Sequence, residues 1–465
     1  MLTCWQLLVI LLPAASSFVH PKKYQSSELH NDAVIPLSEL QRTSYDTLLQ
    51  SIIPSSAHIV LIGEGTHGTE EFFRTRSELT KQLVQRCGFD AVICEGDVRP
   101  FFKLNKLSAA TDNIRDNLGE IFESHFPDWM WNNVPMSEFV SWMKKRSQQQ
   151  LPKLLLIGMD IQSPFDSIDY ITQQLLEMDE IELATVAKER YATLNSFRPN
   201  IRRYGDAVYA NRVPSQESGV QEVVNALSER FGDNYDSITF ELLQNARAVA
   251  ASETYHRQRI LPGHTAAWNK RSEAFMDCIL RSREYVSHAK QRESCCNQES
   301  NPSKIIIWAH NSHIGDMRST GYASLGQVSV GQLCREMFGK EGVFLIGFTS
   351  YEGTVRAAHT DRRGACFEGK GEVLVLNKGL EDSHEAHLHD IVINMKQEIG
   401  EAAFGLNLRN TDHNIVSSFD CNCFERFIGS CYLPQTEMMS HYTRCNLANQ
   451  FDFLFHVDKS SAITV

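Results

Sequence analysis

The sequence predicts an α/β fold, a mostly parallel sheet flanked by helices, with a helical insertion subdomain. Three observations predict it. Six short runs are apolar almost throughout, as strands covered on both faces are: His58–Gly63, Asp90–Glu95, Leu154–Asp160, Lys304–His310, Gly342–Phe348 and Phe451–Asp458. Long stretches with helical apolar spacing separate most of them, and such alternation builds parallel sheets with helices on both faces. Between the third and fourth runs, the patterns Ile168–Met178, Ile181–Leu194, Glu217–Phe231, Ile238–Arg259 and Ala266–His288 follow one another with no strand between them.

From the first residue onward the organisation reads as follows. Residues 1–17 have the form of a signal peptide. Leu7–Leu12 is a short apolar core, and Pro13, Ala14, Ala15, Ser16 and Ser17 supply a small-residue cleavage region. This leader predicts routing into the secretory pathway. Ser16-Ser17-Phe18-Val19-His20-Pro21 also resembles the junction of bipartite plastid-targeting leaders, which gives the plastid as the alternative destination. Residues 36–166 and 303–465 form the expected α/β core. Residues 167–291 are the helical insertion, and the polar stretch 291–303 is an exposed loop.

Composition narrows the function classes. The chain has 465 residues, 42% hydrophobic and 22% charged, enough apolar material for a large core. A net charge of −12 argues against a nucleic-acid binder, which needs a basic stripe. No later segment has the long charge-free run of a membrane span. The 12 cysteines are too sparse for a disulfide scaffold. Cys87 and Cys94 lie in apolar runs and read as buried thiols. Cys295 and Cys296 sit in the polar loop. Cys421, Cys423, Cys431 and Cys445 cluster late, and disulfides or free thiols are favoured there over zinc because the spacing is not a paired CxxC pattern.

Three strand ends carry the chemistry. The first run leads into Glu64-Gly65-Thr66-His67, the second stops at Glu95, and the fourth at His310-Asn311-Ser312-His313. Ligands of parallel α/β sheets bind beyond the carboxyl ends of the strands, so these groups are expected to converge. Gly63, Gly65 and Gly68 permit a tight turn, and Thr66 or Thr69 could cap the following helix. The free N–H groups at that helix start could hold an anion. His67 can act as a base near neutral pH, and Glu64 could orient it. Arg76, further along the helix, could pair with a carboxylate or polarise a carbonyl. Each residue alone also has a purely structural explanation, including a Glu95–Arg76 salt bridge. The set together predicts a site. Neither a Gly-x-Ser-x-Gly elbow, a P-loop nor a dinucleotide fingerprint is present, so a serine triad and nucleotide binding are not supported.

Gly63-Glu64-Gly65-Thr66-His67-Gly68-Thr69-Glu70-Glu71-Phe72 with Arg76 resembles the opening motif of the erythromycin esterase-like family. The resemblance continues through Gly88-Phe89 to Glu95, Gly158–Ser163, the Arg-bearing helix Arg271–Ile279 and Trp308–His313. Near the end it includes Arg426-Phe427-Ile428-Gly429, Tyr432-Leu433-Pro434 and Phe451–Asp458, so that it spans roughly Pro36 to Val465. It implies an α/β core with the helical subdomain over the cleft and hydrolysis of a macrolide lactone ester through histidine-activated water. Carried onto this chain, His67 is the general base and Glu64 its partner. Glu95, His310, His313 and Arg76 complete the catalytic set, and Arg271, Gly65 and Thr66 bind substrate. The expected substrate is a small-molecule ester or lactone, and no cofactor or metal is assigned. A divalent-metal hydrolase of peptide or amide bonds is the runner-up, and a haem- or anion-binding protein the third reading. The leader, the loop 291–303 and the late cysteines point away from erythromycin as the natural substrate.

Overall fold

The computed structural model describes residues 33–107, 114–123, 125, 127–232, 234–293, 303–358, 371–399, 401–409 and 414–465. The leader, Cys295 and Cys296, and most of the loop expected at 291–303 lie outside the described residues. The strands are β1 (Val34–Pro36), β2 (Ile59–Ile62), β3 (Phe89–Asp97), β4 (Leu155–Asp160), β5 (Lys304–Trp308), β6 (Val343–Ala357), β7 (Glu372–Leu376), β8 (Ala403–Asn407), β9 (Asn422–Arg426), β10 (Tyr442–Asn446) and β11 (Phe453–Ser460).

All six expected runs enter a 9-stranded sheet of order β1-β8-β11-β6-β2-β5-β3-β4, with β7 added to β6. From β11 to β4 every pairing is parallel, while β1–β8, β8–β11 and β6–β7 are antiparallel. The alternation of side chains across the sheet explains why both faces are apolar. Val60, Ile62, Val92, Cys94, Ile306, Trp308, Phe344 and Ile346 pack into one core. Their neighbours Ile59, Leu61, Ala91, Ile93, Ile305, Ile307, Val343 and Leu345 pack into the other. Each such side chain, fully buried, contributes about 1.5–3 kcal/mol relative to exposure.

Strand β6 runs past the expected end at Phe348 because Gly353–Ala357 pairs with β7 while Lys459 and Ser460 of β11 pair with Glu352 and Gly353. The antiparallel additions escape the apolar-run criterion. β1 has three residues, and β7, apolar over Val373–Leu376, is an edge strand with Val373 and Val375 exposed. β9 and β10 form a separate two-stranded ribbon.

The helix Glu70–Cys87 presents Phe72, Phe73, Leu79, Leu83 and Val84 to the first core and ends at Gly88, whose φ of 71° is the left-handed cap. The helices Phe165–Glu177, Ile181–Asn195, Arg202–Tyr209, Glu217–Phe231 and Ser237–Gln258 enclose a third apolar cluster that includes Ile168, Tyr191, Leu227 and Leu242. Arg202–Tyr209 is a helix that apolar spacing did not single out. The long helix His264–Glu293 returns across the sheet with Phe275, Met276 and Ile279 in the second core. No helix among the described residues is long and apolar enough to cross a membrane. Cys94 is a buried thiol, Cys87 is half-buried, and Cys431 is disulfide-bonded, whereas Cys421, Cys423 and Cys445 are free.

The turn after β2 is locked by contact with β6. Gly68 accepts hydrogen bonds from Arg356 N (3.0 Å) and Ile463 N (2.9 Å), and an added Cβ would strike the Arg356 carbonyl. Gly68→Ala is expected to cost about 1–3 kcal/mol of stability through this overlap. An unchanged denaturation midpoint would show that the turn has room the structure denies it.

Candidate active site

Register builds the site. Ile62 on β2 and Cys94 on β3 both lie opposite Trp308 on β5, and Gly158 on β4 lies opposite Cys94. These positions lie at one level of the four parallel strands, where β2 and β5 end and β3 and β4 run on, and the residues that follow it are Gly63-Glu64, Glu95, Ala309-His310 and Met159-Asp160. The β3–β4 register shifts between Cys94 and Asp97, a local irregularity that falls at Glu95-Gly96. A Cβ at Gly63 would overlap Asn311 Oδ1, which accepts from Phe348 N, and would crowd Ile346 O and Ile314 Cγ1 at 3.1 Å.

Two buried ion systems occupy this edge. In the first, His67 Nδ1 lies 2.8 Å from Glu64 Oε1, and Arg76 Nη1 lies 3.1 Å from Glu64 Oε2. Arg76 is fully buried, and its guanidinium lies 4.2 Å from the Phe73 ring centre and 4.7 Å from that of Trp308. The second system centres on Arg271 from the long returning helix. Its Nε donates to Asp160 Oδ1 (2.9 Å), and Nη2 donates to Asp160 Oδ2 (2.5 Å) and Glu95 Oε1 (2.8 Å). Its Nη1 is 2.8 Å from His313 Nε2. The remaining Glu95 oxygen accepts the His310 N–H at 2.7 Å.

The proton affinities of the three histidines are shifted for identifiable reasons, downward for His310 and His313 and upward for His67. His310 is pushed down to about 3 by burial and by the neighbouring His67 charge, so it is neutral. Its Nε2–H donates to Gly65 O (3.1 Å), and Nδ1 accepts from Ser312 N (3.3 Å) and the Ser312 hydroxyl (2.9 Å). Both nitrogens are engaged. His313 is also lowered by burial, against the pull of Glu95. Glu95 Oε1 lies 3.3 Å from the same Nε2 that Arg271 approaches. Nδ1 of the same ring is buried and makes no hydrogen bond. Trp268 stacks on the His313 face at 4.5 Å. At His67, burial lowers the basicity, but the Glu64 hydrogen bond and the charges of Glu95 and Glu64 outweigh it, and the net shift is upward. Burial would raise Glu95, yet His313, Arg271 and His67 hold it well below the ordinary carboxylate range.

The predicted set is therefore largely one cluster: His67, Glu64, Glu95, His310, His313 and Arg271 meet, with the His67 and His310 ring centres 4.9 Å apart. Arg76 pairs with Glu64 and not with Glu95, because it projects into the aromatic layer under β2. Gly65 contributes its carbonyl to His310 Nε2 and to Ile428 N. The buried Thr66 hydroxyl bonds that of Thr69, so Thr69 occupies the cap position of the helix without capping it. The anion site expected at that helix start is filled: Glu70 N donates to Ser461 O, Glu70 and Glu71 place carboxylates there, and these accept from Thr464 N and Ser461 N.

Asp160 was not among the predicted residues, although Leu154–Asp160 ends in a carboxylate just as the second run does. Ile428 and Gly429 were missed as well. Ile428 pairs with Thr66 and its carbonyl accepts from His67 N at 3.1 Å, while Gly429 lies beside His67 Nε2. Nothing in a local pattern marks a loop that closes over a site from the far end of the chain.

A parallel sheet with a helical cluster alongside, and an oriented histidine at the carboxyl ends of its strands, defines a hydrolase-type α/β protein. Comparison with known proteins agrees and is more specific: the erythromycin esterase family matches residues 84–460, and the chain belongs to that family. It is a hydrolase of this family. It is 23% identical to erythromycin esterase type I of Escherichia coli over 334 residues, 67% of this chain and 74% of that one. Its fold is shared with a crystal structure of a succinoglycan biosynthesis protein (TM-score 0.70, 18% identity, covering 94% of this chain and 97% of the other). A mutant of the erythromycin esterase EreC in its open conformation is similar too (TM-score 0.62, 18% identity, covering 92% and 98%).

Removing Arg76 would leave Glu64 as a buried charge facing only a histidine. Arg76→Leu is expected to cost about 3–5 kcal/mol, as unpairing a buried ion does. The double variant Arg76→Leu/Glu64→Gln is expected to recover much of that loss in equilibrium unfolding. Additive losses in the two single variants would refute the coupling.

Proposed function

We propose that this chain hydrolyses a carboxylic ester or lactone of a small molecule, with water activated by His67. The observation that carries the reading is the Glu64–His67 pair. Nδ1–H is spent on Glu64 at 2.8 Å, so the neutral ring presents its lone pair on Nε2, which faces Gly429 and the His310 ring. Both nitrogens of His310 are engaged and Nε2 of His313 lies against Arg271, whereas His67 combines a ring oriented by Glu64 with a raised affinity for protons, which favours it as the base.

In the proposed step, Nε2 takes a proton from water as the hydroxyl oxygen attacks the ester carbonyl. Glu64 stabilises the imidazolium that forms and fixes its tautomer, and Arg76 keeps Glu64 in place. Arg271, whose charge acts on His67, supports the negative charge that develops on the carbonyl oxygen. Collapse of the tetrahedral intermediate returns the proton from His67 to the leaving alkoxide, which releases acid and alcohol. The step uses only protein groups and water. A macrolide lactone is one substrate of this class, consistent with the name of the Escherichia coli relative. The anion-binding alternative loses its footing, because the helix start and Arg76 on which it rested are both occupied.

His67→Ala is expected to lower kcat/KM toward a cleaved ester by about 10²–10⁴-fold with the fold retained. Equal turnover by wild type and variant across a lactone and ester panel would sink the assignment, and activity lost to a chelator but not to His67→Ala would favour a metal-dependent hydrolase.

The pH profile gives a separate check. Because His67 must be neutral to act and its affinity for protons is raised, activity should fall toward acid with an apparent pKa above the ordinary histidine value of about 6.5. Glu64→Gln removes a hydrogen bond and a charge that both favour the imidazolium, so it should move this limb to lower pH while reducing the plateau rate. A limb that stays put, or moves upward, would remove Glu64 from its role.

A further inference from the structure

A second cluster lies away from the active site. The helix His384–Ile399 begins with His384, and His387 follows three residues on, so the two imidazoles share one face of its first turn. Cys421 and Cys423 stand two apart where the chain enters β9, so their thiols point to one face of the strand. One donor atom from each of the four lies within 4.8 Å of every other. Among the described residues, this is the one group of histidines, cysteines and carboxylates whose donors converge in this way.

The histidines are arranged as ligands are. His384 is completely buried, and its Nε2–H donates to Cys445 O at 2.9 Å. That bond fixes the tautomer and turns an unprotonated Nδ1 into the cluster, where it finds no hydrogen-bond partner. A backbone carbonyl holding the far nitrogen is the usual support of a metal-bound imidazole. Nε2 of His387 is likewise buried without a partner. Two orphaned ring nitrogens aimed at two thiols would be a costly arrangement for a purely structural contact.

We propose that His384, His387, Cys421 and Cys423 bind a zinc ion that ties the helix His384–Ile399 to the β9–β10 ribbon. Two thiolates and two neutral imidazoles are a tetrahedral donor set suited to this metal. The two sulfurs are now 2.6 Å apart. Zinc would spread them to the edge of its tetrahedron, roughly 3.8 Å, and draw the other donors in by about 1 Å. Binding releases the thiol protons to solvent, with no change in oxidation state.

The site has a structural consequence. β9 leads directly through Arg426 and Phe427 to Ile428, the residue whose carbonyl receives the His67 N–H. Ser383 bridges to Phe424, and Glu385 accepts the Arg426 N–H at 2.8 Å. Zinc would fasten the root of the segment that closes over the active site, without touching the reacting groups.

The test uses the full chain, purified with and without added zinc chloride. Elemental analysis is expected to find about one equivalent of zinc, in line with structural sites of this donor set. Cys421→Ser/Cys423→Ser and His387→Ala should lose it, whereas His67→Ala/His310→Ala should keep it. Cobalt(II) exchanged into wild type should give the visible bands of a tetrahedral thiolate site, a readout that needs no variant to fold. Absence of both zinc and the cobalt bands overturns the proposal, and so does a Cys421–Cys423 disulfide found by peptide mapping of freshly prepared protein. Metal lost from the His67/His310 variant and kept in the cysteine variant would also overturn it, by placing the ion in the active site.

Discussion

Charge balance at a dry sheet edge is the constraint on which the active site depends. The carboxyl ends of β2, β3 and β4 each deliver a carboxylate, Glu64, Glu95 and Asp160, into surroundings where a lone charge costs several kcal/mol. Two guanidinium groups answer them from opposite sides of the sheet. Arg76 reaches up from the helix after β2, and Arg271 comes across from the helix before β5. Three carboxylates against two guanidinium groups leave a surplus negative charge, and that surplus falls on His67. The upward shift of this one histidine, while its two neighbours are depressed, comes against burial first from the Glu64 hydrogen bond and then from the charges of Glu95 and Glu64.

The same imbalance suits proton transfer. When a base takes a proton from water, the cluster must accept a positive charge in a place that excludes solvent. Here the acceptance is prepaid by the third carboxylate: the imidazolium brings the cluster to neutrality. The remaining histidines would compete for that proton if they were free. His310 is held neutral between Gly65 O and Ser312, and His313 is held by Arg271 with Trp268 against its face. Their task is to keep the geometry of Glu95 and Arg271 while leaving one proton acceptor.

Much of this was legible in the sequence because parallel sheets turn local patterns into shared geometry. An apolar run that stops at a polar residue marks a strand end, and strands that pair parallel bring their ends together whatever their separation in the chain. Glu64, His67, Glu95, His310 and His313 were found that way, and Asp160 obeys the same rule. What escaped depended on contacts without a local pattern. Arg271 was named only through the family resemblance, and its contacts with Glu95, Asp160 and His313 have no local signature. For Arg76 the sequence left open a carboxylate partner or a carbonyl to polarise, and helix position alone could not say that the carboxylate is Glu64. β9 and β10 were invisible because a short ribbon has one covered face and no apolar run. The late cysteines were weighed only against each other. Their histidine counterparts come from a helix thirty-odd residues earlier, a separation that no spacing rule for cysteine pairs includes.

The two ends of the fold then come together in one dependence. The turn that carries His67 is not finished by its own strand and helix. Its backbone is completed by Ile428, reached through the β9–β10 ribbon, and by Ile463 near the C-terminus, while the helix start behind it is filled by Ser461 and Thr464. Residues more than three hundred positions away thus set where the His67 ring can stand. A ribbon with so small a core of its own would hold that position poorly, since two strands alone are marginal in water. Whatever secures the ribbon to the helix His384–Ile399 therefore bears on the position of His67, and the four convergent donor atoms lie at that junction.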